Sequence, residues 1–82
     1  MIYVDKVHMV ADSIDELHKF AKEIGLKRHF FEGVKKGHPH YDLTNKTIMQ
    51  KALDNGAMVV NSKKIVEISH KLAAEKLKKT KK

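Results

Sequence analysis

The sequence predicts an α/β domain: a small three- to four-stranded, mostly parallel sheet with three helices packed on it. Three observations lead there. Extended and helical apolar patterns alternate in the order β-α-β-α-β-α, without internal repeat or linker. Gly25 and Gly56 each follow a helical stripe, where a left-handed residue ends a helix. The chain has 82 residues, 41% of them hydrophobic, which allows one domain with one thin core.

Each element has its own reason. Ile2 to Ala11, rich in valine and aromatic residues, reads as one extended segment. Ser13-Ile14-Asp15-Glu16 matches a capping box, and Ile14, Leu17, Ala21 and Ile24 form a stripe at helical spacing, giving a helix over about 14–24. His29-Phe30-Phe31-Glu32 reads as a short strand, and Gly33 to Asp42, with Gly37 and Pro39, as a loop. A second helix is expected from near Thr44 to Asn55, its apolar face being Ile48, Met49, Ala52 and Leu53. Ala57 to Val60 is expected as a short buried strand, and Ser62 as the cap of a third helix with the stripe Ile65, Ile68, Leu72. The expected core is Val4, Val10, Leu17, Ala21, Ile24, Phe30, Ile48, Ala52, Leu53, Val59, Ile65, Ile68 and Leu72.

The net charge is +7, but five lysines fall within residues 76–82, so residues 1–75 carry +2. That divides the chain into a single domain over 1–75 and a basic C-terminal tail over 76–82, a solvated helix end or an arm for phosphate. No cysteine is present, which excludes disulfides and thiolate zinc sites and fits a reducing cytoplasm. No apolar run approaches the roughly 20 residues of a membrane span, and Met1 to Asp5 lacks the basic start of a secretory signal. The long apolar N-terminal segment, in a domain with little mass to cover it, predicts a homo-oligomer.

Six histidines, most of them near aspartates, mark where chemistry would sit. Imidazole and carboxylate ligate metals, move protons and bind phosphate. His8 and Asp12 lie on the first extended segment, at whose end the helix carrying His18 begins. His38-Pro39-His40-Tyr41-Asp42 is a compact polar loop, in which His-x-His suits two ligands of one metal and Asp42 can ligate or orient an imidazole. The expected site therefore converges His8, Asp12, His18, His40 and Asp42 in catalytic roles. His8, His18, His40 and Asp42 would hold a divalent metal, and His38 and Tyr41 would bind the ligand. Neither the phosphate loop G-x-x-x-x-G-K-[ST] nor the dinucleotide motif G-x-G-x-x-G is present.

Met1-Ile2-Tyr3-Val4-Asp5, His8-Met9-Val10-Ala11-Asp12, Glu16-Leu17-His18, Phe20-Ala21, Ile24-Gly25, His40-Tyr41-Asp42 and Ala52…Gly56-Ala57 together resemble a small bacterial and phage family of unknown function, over about residues 1–70. The resemblance implies a cytoplasmic protein and supplies no activity. This chain departs from the pattern in having only Lys6-Val7 between Asp5 and His8. In one continuous strand Asp5 and His8 face opposite ways, and only a bulge or bend brings them together. Two functions follow. One is metal-assisted hydrolysis of a phosphodiester or nucleotide. The other is a non-catalytic binding module for a nucleotide, nucleic acid or host protein, aided by the lysine tail.

Overall fold

The computed structural model describes residues 1–33, 37–43 and 45–80, with side chains described through residue 74. Strand β1 spans Ile2–Val4, β2 His8–Ala11, β3 Phe31–Glu32, β4 His40–Asp42 and β5 Met58–Val59; helix α1 spans Ile14–Glu23, α2 Lys46–Asp54 and α3 Ser62–Thr80. The sheet has five strands in the order β3-β4-β2-β1-β5. Only β1 and β5 pair in parallel; β1/β2, β2/β4 and β3/β4 are antiparallel. The expected mostly parallel sheet of three or four strands is thus corrected to five strands, mostly antiparallel.

The first cause is Asp5. Its carboxylate accepts the Val7 and His8 amides at 2.8 and 2.7 Å, and its own amide donates to the His8 carbonyl at 3.1 Å. An aspartate that bonds its own backbone two residues on makes a turn. Ile2 to Ala11 is therefore a hairpin, not one extended segment, with Ile2 opposite Ala11 and Val4 opposite Met9. The second cause is β4, which lies inside the segment expected as loop. It pairs Tyr41 with Met9 and Asp42 with His8. The helical crossovers do join strands of like direction: α1 leads from β2 to β3, and α2 from β4 to β5. Those strands do not touch, because antiparallel neighbours are interleaved between them.

The hairpin makes β1 and β2 central, so the sheet edges are β3 and β5, and the N-terminal segment offers no open edge for another copy. The remaining corrections are local. A single 3-10 turn, Arg28–Phe30, replaces the first half of the expected strand at His29–Glu32. Asn45 caps α2 through the Ile48 amide at 2.9 Å, and Thr44 lies outside the described residues. Asn61, not Ser62, caps α3, accepting the Lys64 amide at 2.8 Å. As an edge strand, β5 is exposed rather than buried; Val59, expected in the core, is 66% exposed. Helix α3 continues through Lys76, Lys78 and Lys79 to Thr80, while the tail's side chains lie outside the described ones.

The core is built from Val4, Met9, Val10, Ala11, Leu17, Ala21, Ile24, Tyr41, Ala52, Ile65, Ile68 and Leu72, with Phe30, Ile48 and Leu53 only partly buried against it. Half of the expected capping box holds helix α1: the Ser13 hydroxyl accepts the Glu16 amide at 3.1 Å, while the Glu16 carboxylate receives the Met1 ammonium. Cross-strand partners share a sheet face. Val4, Met9, Tyr41 and Phe31 form a row on one face; His8, Asp42 and His40 lie on the other. His18 of α1 bonds the Tyr41 hydroxyl, so α1 covers the first face. Ile65, Val66 and Ser69 of α3 line a groove with His8 and His40, so α3 covers the second.

Candidate metal centre

Three of the expected ligands come together. His8, His40 and Asp42 each offer one ligand atom within 4.8 Å of the others, a set that could hold a metal ion. The register produces this: His8 sits directly across from Asp42, and His40 projects from the same face two residues away. The His8 and His40 rings meet edge to face with centroids 5.0 Å apart, and the His38 ring stacks on His40 at 5.5 Å. His8, His38 and His40 open onto a groove of about 240 Å³ against α3.

Each ring is oriented through its Nδ1. His40 Nδ1 lies 2.7 Å from the His38 carbonyl oxygen. A carbonyl only accepts, so Nδ1 carries the proton. A neutral ring then turns the Nε2 lone pair toward Asp42 Oδ1, 3.3 Å away. Two acceptors facing each other at that distance call for positive charge between them, either a proton on Nε2 or a metal cation. In a tetrahedral site with bonds of about 2.0–2.1 Å, neighbouring donor atoms lie about 3.3–3.4 Å apart. The His40–Asp42 pair already has that spacing, and the third donor has further to close.

His8 Nδ1 lies 3.2 Å from Asp5 Oδ2. Asp5 is buried, 6% exposed, and its second role is to receive the Ser62 hydroxyl at 3.0 Å. Burial by itself raises a carboxyl pKa. Here the Val7 and His8 amides, the His8 ring and the Ser62 hydroxyl outweigh burial, and Asp5 sits below its usual range. An ionised Asp5 accepts a hydrogen bond from the Nδ1–H of His8, which leaves Nε2 as the ligand atom. A carboxylate or carbonyl behind a ligating imidazole is the arrangement that fixes tautomer and direction in metal sites. Both histidines have it.

Gly33 seats the second histidine pair. Its φ is +85°, and a Cβ there would collide with the His38 carbonyl oxygen and come within 2.8 Å of His38 Nδ1 and 3.0 Å of His40 Nδ1. The His38 amide donates to the Gly33 carbonyl at 3.0 Å, and Pro39 is fully buried between the two histidines.

The other expected residues lie elsewhere. His18 is across the sheet, its Nδ1 2.8 Å from the Tyr41 hydroxyl and its ring against Phe31 at 4.6 Å. Asp12 is at the far end of β2, four residues from His8 or about 13 Å along a strand, with the Tyr3 hydroxyl at 3.1 Å and the Met1 ammonium beside it. Tyr41 lies on the face opposite His8 and His40 and is 1% exposed. The connection from β2 into α1 does not bring His18 to His8, because His8 begins β2 and the helix returns over the opposite face. Ser62 and Gly33 are supporting residues without a counterpart in the sequence expectations, whereas Asp5 reaches His8 through the bend that those expectations required. An aspartate two residues before an amide it can cap was the available signal for Asp5; Ser62 carried none.

A family model described as "Protein of unknown function (DUF4031)" matches residues 3–72. The chain belongs to the DUF4031 family. That span holds Asp5, His8, Gly33, His40, Asp42 and Ser62, and it ends at Leu72, a buried residue of α3. No significant match exists among curated proteins, and none among solved structures. Among the described residues, no helix is long and apolar enough to cross a membrane.

Proposed function

We propose that this DUF4031 protein binds a divalent transition metal through His8, His40 and Asp42, and that the site acts on a phosphate-containing ligand by assisting hydrolysis of a phosphodiester or nucleotide. The observation that carries the reading is the paired support of the two imidazoles. Asp5 and the His38 carbonyl each accept a hydrogen bond from an Nδ1–H and leave Nε2 for a ligand, while Asp42 Oδ1 stands 3.3 Å from one of those nitrogens. Two imidazoles and one carboxylate suit zinc, iron(II) or nickel. Such a metal supplies Lewis acidity, lowering the pKa of a water and offsetting charge on phosphate. The protein's part is orientation. His8 and His40 hold the donor atoms, Asp42 completes the set, and His38 borders the groove as a group able to carry a proton.

The test is calorimetric titration of the apo protein with zinc, then assay of the loaded protein on a panel of phosphodiesters and nucleotides. Stoichiometric binding that His40→Ala and Asp42→Ala abolish, with the circular dichroism spectrum kept, is the expected result. Absence of binding in the native chain removes the metal reading. Binding without turnover on any substrate leaves a metal-bound module for a nucleotide, nucleic acid or host protein in place of a hydrolase.

A further inference from the structure

The sheet face opposite the histidines carries a cavity of about 580 Å³, unrelated to the proposed metal. Its lining includes Lys19 and Lys22 from the second half of α1 and Lys27 and Arg28 from the segment that follows, with His18 and Tyr41 deeper in. Among the described residues, no acidic side chain lines it. Among the described residues, none of the four cations is engaged in an ion pair. Of the acids of α1, Asp15 and Glu16 stand in its first turn, at the other end, and Glu23, its last residue, is not among the described residues lining the cavity.

Lysines near a helix C-terminus commonly just complement the dipole. That accounts for Lys22 but not for Lys27 and Arg28, which lie beyond the helix. Three carbonyls at the helix end are already engaged. The Phe20, Ala21 and Lys22 carbonyls accept the Ile24, Leu26 and Gly25 amides at 3.1, 2.8 and 3.1 Å. Burial raises the pKa of the Tyr41 hydroxyl, and the Arg28 charge opposes that rise.

Four cations around one concavity, without an ion pair among the described residues, repel one another, and a multivalent anion relieves that repulsion. We infer that this cavity binds a small phosphate-bearing molecule with at least two negative charges. Lys19, Lys22 and Lys27 supply point charges, and Arg28 a planar fork that matches phosphate oxygens. Tyr41 and His18 close the floor. The volume lies within the range of about 300–1,000 Å³ typical of small-ligand sites, and a concavity of that kind suits a discrete molecule better than a polymer backbone.

The probe is inorganic pyrophosphate, titrated into the full chain and followed by amide shifts and calorimetry. One saturable site is expected, with the largest shifts at Gly25 to Arg28 and an affinity that falls as salt rises. Replacing two exposed residues together, Lys22→Gln with Arg28→Gln, should weaken it at least about tenfold. His40→Ala, on the other face, should leave it within about twofold, so loss of the metal site and loss of this site are separable. No saturation by about 10 mM pyrophosphate overturns the inference. So does an unchanged affinity in the double variant. An oligonucleotide that binds while pyrophosphate does not would assign the surface to nucleic acid instead.

Discussion

Replacing Gly33 with alanine separates backbone strain from assembly of the histidine pair. At φ +85° an alanine costs about 1–2 kcal/mol for the left-handed backbone alone. The added Cβ also overlaps the His38 carbonyl oxygen, so residues 38–40 must move. That movement endangers two hydrogen bonds, the His38 amide to Gly33 at 3.0 Å and His40 Nδ1 to the His38 carbonyl at 2.7 Å. At about 0.5–1.5 kcal/mol each, with the strain, the loss comes to about 2–5 kcal/mol. The freed His40 ring should weaken zinc binding about 10–100-fold, the usual cost of losing a group behind a ligand. Gly56→Ala is the control. It has φ +102° and nothing within 4 Å of the new Cβ, so it bears strain without collision. Urea unfolding and zinc calorimetry on both variants decide the matter. Equal losses of stability in the two, or an unchanged zinc affinity in Gly33→Ala, would refute the claim that Gly33 seats the histidines.

Three further outcomes are expected. Leu17 is 0% exposed on the buried face of α1, so Leu17→Ala should cost about 2–5 kcal/mol in urea unfolding; an unmoved midpoint would show that the face is misassigned. Asp5 titrates below its usual range when folded, so its contribution is present above about pH 4 and is lost as pH falls through the folded value. Asp5→Asn should therefore lower stability at pH 7 by about 1–3 kcal/mol and flatten the acid limb of the stability profile, and an acid limb as steep as the native one would remove Asp5 from that role. A chain ended at Glu75 keeps every buried residue through Leu72 and should melt within a few degrees of the full chain, whereas a large drop would mean that residues 76–82 pack.

What could be read from sequence followed from how locally each feature was encoded. Helix α1 was legible because Ser13, Glu16 and the Ile14–Leu17–Ala21 stripe act within a few residues of one another. The hairpin was hidden because Val4 and Val7 keep the apolar pattern going on both sides of Asp5, whose turn is made by one carboxylate. Strand β4 was hidden because His-Tyr-Asp is short and two of its three side chains are polar, with Gly37 and Pro39 just before it. Strand direction in the sheet then followed from those two features. The site was legible to the extent that His40 and Asp42 share a parity on one strand. His8 joined them only through a register that no local pattern fixes. His18 was misplaced because helical periodicity shows that a residue borders a core but not which side of the sheet that core lies on.

Strand β4 is a partition one backbone thick. His40 and Asp42 belong to one compartment and Tyr41, between them, to the other. A slip of one residue against β2 would drive two polar side chains into the apolar interior and leave the tyrosine among the imidazoles. An ion held jointly by His8 and Asp42 would bridge β2 and β4 at one alignment alone. It would act during folding as a proofreader of strand pairing, selecting the correctly threaded chain before any ligand arrives.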